Sequence, residues 1–349
     1  MKYLITGGLG FIGSNLSRLI SKKKSNQVLV IDSLAYSGNK KSLPELNYKN
    51  NLEFIKTSIL NKTKLEKIIL DFKPDRILHL AAESHVDKSI DSPDSFINTN
   101  IIGTYNLLEI SRKYQKQNLD FLFMHISTDE VFGDLGNSKK LFKESSNYDP
   151  SSPYSASKAS SDHLVRAWGR TYGLNYIISN CSNNYGPYQY PEKLIPHIIL
   201  SALKGLPLPI YGDGLQIRDW LHVEDHVECL ELLSKEGKLN KTYLIGGNNQ
   251  ITNLDIVKKI CFFLDKNLSK KRPKELSSFY DLITFVSDRP GHDRAYGIDT
   301  SSIKKELGWK PKISFDKGLA KTVDWYIINH DWWKPLLNKK YKLERIGKK

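Results

Sequence analysis

Short apolar runs, each closed by small or polar residues, alternate through the first half of the chain with stretches whose apolar positions recur every three or four residues. Residues 2–6, 27–31, 52–56, 76–80, 121–126 and 175–179 read as strands, and 121–126 is apolar on both faces, as a strand in the middle of a sheet must be. Between them, Leu16, Leu19 and Ile20 fall at helical spacing, and 64–72 reads as a helix that ends before Pro74. Ser92 and Pro93 supply a cap and a first-turn proline for a long helix carrying Asn98, Thr99, Asn100 and Gly103. Such alternation predicts an α/β fold with a doubly wound, parallel, Rossmann-type sheet.

The alternation breaks down after the sixth strand. Pro187, Pro191, Pro196, Pro207, Pro209, Gly212 and Gly214 crowd the next stretch. We therefore expect residues 1–182 to form a dinucleotide-binding domain, rejoined by about 222–250, and 183–349 to form mainly a smaller substrate-binding lobe.

Composition changes this picture little. The 349 residues carry 52 Lys plus Arg against 38 Asp plus Glu, a net charge of +14. The lysines are scattered, with short clusters at 22–24, at Lys270, Lys271 and Lys274, and at Lys348 and Lys349. That distribution argues for a solvated basic surface and against a nucleic-acid partner, while its field favours a polyanionic small substrate. Cys181, Cys229 and Cys261 show no metal-binding or disulfide spacing, so no metal is expected. Met1 leads straight into the first strand and no run has the length of a membrane span, so a cytoplasmic protein without membrane contact is expected.

Chemistry gathers at the strand ends. Gly7, Gly10 and Gly13 follow the first strand and open a helix, a pattern that gives a tight turn, close approach of backbone to a pyrophosphate, and close helix–strand packing. Asp32 closes the second strand about 20 residues beyond Gly13, where a carboxylate accepts ribose hydroxyls and repels a 2′-phosphate, so the expected cofactor is NAD rather than NADP. Ala81, Ala82 and Ser84 follow the fourth strand, small enough for a cofactor to lie on the backbone. The fifth strand delivers Ser127, Thr128, Asp129 and Glu130 to the same edge, and two adjoining carboxyls suit acid–base work because mutual repulsion separates their affinities for protons. Tyr154 and Lys158 lie four apart at a helix start, so the ammonium is expected to lower the phenol toward working pH and make it a base.

Taken together these motifs resemble the extended short-chain dehydrogenase/reductase superfamily, and 127–133 resembles its sugar-nucleotide 4,6-dehydratases. The resemblance spans nearly the whole chain, including 79–87, 180–187, 192–196, 218–221, 288–293 and 331–336. It implies that Thr128, Asp129, Glu130, Tyr154 and Lys158 are catalytic. It implies NAD contacts from Gly7, Gly10, Phe11, Ile12, Gly13, Asp32, Ser33, Leu34, Ser58, Ile59, Leu80, Ala81, Ala82, Ser84, Thr99, Tyr154, Lys158 and Asn184. For a sugar-nucleotide substrate it implies Ser84, Thr128, Asn183, Lys193, Leu194, Pro209, Tyr211, Arg218, Asn253, Asp288, Arg289 and His292. Lys193, Arg218 and Arg289 make sense independently, since a diphosphate needs charge-assisted donors. A homodimer through the helices around 98–114 and 154–172 is also implied.

Ser58 departs from the family pattern, which has an acidic residue near the adenine at this point, and Leu9 adds bulk where alanine is common. Three other readings stay open. A 4-epimerase shares the cofactor site but needs no carboxyl pair; a UDP-glucuronate decarboxylase needs positive charge for a C6 carboxylate; a non-catalytic NAD-binding protein would keep the fold without turnover. The nucleotide base is open as well, since one methyl in an apolar pocket is worth only about 1–3 kcal/mol.

Overall fold

The computed structural model describes residues 1–339 apart from 139, 270, 271 and 274, together with residue 343; the lysine clusters at 270–274 and 348–349 therefore lie wholly or partly outside the described residues. Twelve strands are present among these residues: β1 Lys2–Thr6, β2 Gln27–Asp32, β3 Leu52–Lys56, β4 Arg76–His79, β5 Leu122–Thr128, β6 Tyr176–Cys181, β7 Asn183–Tyr185, β8 Leu208–Tyr211, β9 Ile217–His222, β10 Lys241–Ile245, β11 Gln250–Thr252 and β12 Ile283–Val286. Seven form one parallel sheet in the order β10-β6-β5-β4-β1-β2-β3. The order reverses between β1 and β4, and open α/β sheets bind ligands in the crevice at that reversal.

Two apolar layers cover the faces of this sheet. One includes Ile5, Leu16, Val30, Leu78, Met124 and Leu230; the other includes Leu4, Leu29, Ile77, Leu107, Phe123 and Val165. Alternate residues of each strand go to opposite faces, which is why these strands are apolar throughout. The helix Val223–Glu236 packs on the helix Phe11–Ser21, and β10 then pairs with β6, so a late segment completes the early sheet.

The remaining strands make two small sheets, β11-β9-β7 and β12-β8, backed by a separate core of Tyr185, Ile198, Ile256, Phe279, Leu319 and Trp332. Local signals explain the helices that reach the sheet edge. The helix Pro153–Tyr172 begins with a reciprocal cap between Ser152 and Ser155 and ends at Gly173 in the left-handed region. The long helix expected after Pro93 is present but carries a π-helical segment over Ile97–Ile102. No helix among the described residues is long and apolar enough to cross a membrane, and all three cysteines are buried and free.

Candidate active site

A cleft of about 450 Å³ opens along the carboxyl edge of β1, β2, β4, β5 and β6. At its floor Gly7 takes φ +70°, and a Cβ there would stand 2.7 Å from the Ala81 nitrogen. A Cβ on Gly13 would stand 2.2 Å from the Gly7 carbonyl oxygen, so the turn and the helix it opens touch backbone to backbone. Gly10 caps the helix Phe11–Ser21 without a side-chain bond, and no acidic residue occupies the first turn. The positive end of that helix is thus left to face the cleft.

Asp32 is fixed by its own turn: Oδ2 accepts from the Leu9 N–H at 3.1 Å and Oδ1 from the Leu34 N–H at 2.8 Å. The carboxylate lies on the wall of the cleft, where it can meet a ribose hydroxyl. Leu34, expected to contact the cofactor, does not line the cleft; its side chain packs on the core and its contribution is the backbone bond that orients Asp32. The other expected cofactor residues line the wall, including Ser58, Ile59, Thr99 and Asn184. Sequence reasoning missed Tyr36, Gly38, Gln189, Tyr190 and Glu192, which line it as well. Gly38 approaches Asp32 so closely that a Cβ would meet Oδ1 at 2.6 Å, a signal invisible without the fold.

The strand β5 runs two residues further than its apolar pattern. Thr128 pairs across from Cys181 inside the sheet, and its hydroxyl accepts from the Glu130 N–H at 3.2 Å to start a single turn over Asp129–Phe132. That turn presents Asp129 and Glu130 to the cleft beside Tyr154. Asp129 is buried, and its carboxyl is pushed well above the usual carboxylate range by burial, then by Glu130 and by Asp219, an acid the sequence did not single out. Glu130 is also raised by burial, but Arg289, Arg218 and Lys193 all pull it back. The pair is therefore divided into a carboxyl held well up by burial and neighbouring acids and one whose rise three cations oppose.

Tyr154 hydrogen-bonds to the Thr128 hydroxyl, yet its phenol is pushed well above the ordinary value, first by burial and next by Glu130. This corrects the expectation that Lys158 acidifies it here. Helical spacing puts both side chains on one face, but the buried ammonium goes to the Ile126 carbonyl at 2.8 Å, a shorter contact than the 3.4 Å to His125 Nε2. Lys158 is itself pushed down to about 8 by burial, opposed mainly by Asp162.

The expected substrate residues fall into two groups. Ser84, Thr128, Asn183 and Lys193 line the cleft, with the Lys193 Nζ donating to the Ser84 carbonyl at 2.7 Å. Leu194, Pro209, Tyr211, Arg218, Asn253, Asp288, Arg289 and His292 lie outside its wall. Most of these form a second cluster: His292 Nδ1 is 2.6 Å from Asp288 Oδ1, Gln216 donates to Asp288 Oδ2 at 3.0 Å, and the Asn253 N–H donates to Gln216 at 3.0 Å. The Tyr211 ring stands edge-on to His292, on β8 beside Pro209, while Leu194 packs on the separate core behind the two small sheets. Arg218 and Arg289 link the two groups through their charge on Glu130.

Buried polar atoms normally have partners. Here Ser127 Oγ, Asp129 Oδ2, Ser182 Oγ and Asn183 Oδ1 on the cleft, and Asn253 Oδ1 and Arg289 Nε in the second cluster, have none among the described residues. Together with the glycine cradle, these orphaned groups fit a dinucleotide along the sheet edge and an anionic hydroxylated ligand beyond it.

The family model described as GDP-mannose 4,6 dehydratase matches residues 4–322. The dTDP-glucose 4,6-dehydratase of Neisseria meningitidis is 53% identical over 99% of both chains. Among solved structures, the dTDP-glucose 4,6-dehydratase of Bacillus anthracis in complex with NAD superposes with a TM-score of 0.85 at 42% identity, covering 96% of this chain and 99% of that one. The Streptomyces venezuelae dTDP-glucose 4,6-dehydratase, also with NAD, gives 0.86 at 40% identity, covering 96% and 100%. This chain belongs to the GDP-mannose 4,6 dehydratase family and, within it, to the dTDP-glucose 4,6-dehydratases.

Proposed function

We propose that the protein converts dTDP-glucose to dTDP-4-keto-6-deoxyglucose with NAD held by the glycine turn and Asp32. The observation that carries this reading is the division of the carboxyl pair: burial and neighbouring acids push Asp129 well up, while three cations oppose the rise at Glu130, and both act on the Tyr154 phenol. An epimerase has no use for that division. A decarboxylase needs positive charge for a C6 carboxylate and has no use for a buried acid such as Asp129.

When bound, NAD serves as hydride acceptor at C4 and donor at C6. In this reading Tyr154, beside Thr128, takes the proton of the C4 hydroxyl as its phenolate, its own proton having first passed to solvent; the positive charge that bound NAD would bring beside the ring favours that ionisation against the burial that opposes it in the free protein. The resulting ketone acidifies C5, whose proton passes to Glu130. Asp129 gives its proton to the departing C6 hydroxyl, which leaves as water, and Glu130 returns a proton to C5 as C6 is reduced. Lys193, Arg218 and Arg289 are the diphosphate donors in this reading, and the small sheets form the sugar-nucleotide lobe.

Exposed Ile97, Ile102, Tyr105 and Tyr172 on the two helices flanking the cofactor region support a homodimer built on that face. Three reduced, buried thiols support a cytoplasmic setting in deoxysugar-nucleotide synthesis of the rhamnose type. Turnover of dTDP-glucose, UDP-glucose and CDP-glucose by the purified protein, followed by the keto product, tests the assignment. Equal turnover of all three removes the thymidine preference, and product from none removes the reading.

A further inference from the structure

Beneath Lys158 lies a buried polar array that the reaction steps above do not use. His125 Nε2 stands between Lys158 Nζ, 3.4 Å away, and Asp162 Oδ1, 3.3 Å away, and all three side chains are buried. The other Asp162 oxygen accepts from the Tyr148 hydroxyl at 2.7 Å and from Asn180 Nδ2 at 3.0 Å. Asn180 Nδ2 also donates to the Thr128 carbonyl at 2.9 Å, so the array braces the strand end that carries the acid pair.

One imidazole nitrogen cannot donate to Asp162 and accept from Lys158 at the same time. The ring is kept neutral, pushed down to about 4 by burial and by Lys158, and it acts as a spacer that stops the ammonium from collapsing onto the carboxylate. The ammonium instead points to the Ile126 carbonyl. The titratable groups that interact with it are Asp162 from its own helix, His125 from β5, His79 from β4 and Cys181 from β6. Burial works against charge on His79 and Cys181. Asp162, whose own carboxyl is held below the usual range, is then the group that most opposes the effect of burial on Lys158.

We propose that Asp162, acting across His125, is a positioning residue: the buried counter-charge that keeps Lys158 an ammonium directed at the Ile126 carbonyl and so fixes the field around Tyr154. The catalytic consequence rests on the reading of Tyr154 as proton acceptor; the charge of Lys158 can be measured without it.

The test is a pH titration of protein labelled with 13C at the lysine ε-carbon, the Lys158 signal being assigned with Lys158→Met. Wild type is expected to titrate near 8, well apart from surface lysines. Asp162→Asn is isosteric; its amide oxygen can keep Tyr148 and Asn180 while its nitrogen faces His125, so the fold is retained. In this variant the midpoint is expected to fall by about 1–2 units. The basic limb of the kcat–pH profile is expected to fall with it while KM for the sugar nucleotide holds. His125→Asn removes the spacer and leaves the carboxylate, so its midpoint is expected at or above that of wild type. An unchanged midpoint in Asp162→Asn overturns the proposal, as does a fall in His125→Asn, which decides the matter alone if the first variant does not fold. A merely structural role would lower the melting temperature of both variants and leave every midpoint in place. The titration reads free protein, so it stands or fails whether or not dTDP-glucose is turned over.

Discussion

Arg289 Nη1 rests 2.7 Å from the Asp87 carboxylate, across 202 residues of chain. The bond ties the segment after β12 to the segment after β4, and it holds Arg289 where its charge acts on Glu130.

Removing the anchor should therefore cost both stability and binding. Asp87→Ala is expected to destabilise the fold by about 1.5–3 kcal/mol, the range for a bond between charged groups, and to raise KM for the sugar nucleotide. Denaturant unfolding and steady-state kinetics check this; an unchanged KM would separate Arg289 from the substrate.

Asp129→Asn and Glu130→Gln should fail at different points. Each is expected to lower kcat by about 10²–10⁴, the usual worth of a positioned acid or base. Asp129→Asn should still oxidise C4, so quenched reactions should yield a 4-keto hexose that retains its C6 hydroxyl. Glu130→Gln should in addition lose exchange of the C5 hydrogen with solvent. Full dehydration by the double variant would refute the assignment.

Tyr154→Phe should stop the reaction before any ketone forms. A fall in kcat of about 10²–10⁴ is expected with NAD affinity nearly unchanged, because the phenol contributes a proton site rather than the main cofactor contacts. Rapid quench and calorimetry with NAD provide the two readings.

Stability should fall on acidification from about pH 6 downward. His79, His85, His125, His197, His222, His226 and His292 are all held below 6.5, in each case chiefly by burial. A depressed histidine is neutral in the fold but protonated in the unfolded chain, so its contribution is present above 6.5 and is lost as pH drops toward the folded value. Each adds a slope of up to about 1.4 kcal/mol per pH unit. Glu83, Asp129, Glu130, Glu192 and Asp219 are raised by burial and run the other way, but they are fewer. Urea unfolding across this range should show stability decreasing toward acid; a flat profile would mean these rings are hydrated.

Ser58 lines the cofactor cleft, with its hydroxyl accepting from the Leu60 N–H at 3.2 Å. Ser58→Asp adds an acceptor for the adenine amino group, so calorimetry should show NAD binding several-fold tighter, in line with about 1 kcal/mol for one hydrogen bond. Equal affinity would place the adenine away from this residue.

The parts of this site that were legible in the sequence are local. Gly7, Gly10 and Gly13 follow a strand, Asp32 closes the next one, and Tyr154 follows a capped Pro153, so neighbours alone position them. The direction of the Lys158 ammonium was not legible, because spacing fixes a helical face but not which buried acceptor a long side chain meets. Asp162 and His125 were passed over since an acid in mid-helix and a histidine in a strand have no motif; only packing of that helix on β5 joins them. The π-helical segment at Ile97–Ile102 has no spacing signature either, yet it lies where Asn100 clamps the Glu83 backbone at 2.8 and 3.0 Å.

Completion of the large sheet by β10 has a bearing on how the chain is made. A ribosome that has released only the first six strands leaves β6 as a bare hydrogen-bonding edge, and the helix Phe11–Ser21 without its cover from Val223–Glu236. Such a half-built intermediate is adhesive. Truncation after Cys181 should therefore give inclusion bodies instead of a dissected NAD module, and nascent chains should need chaperone protection until β10 emerges.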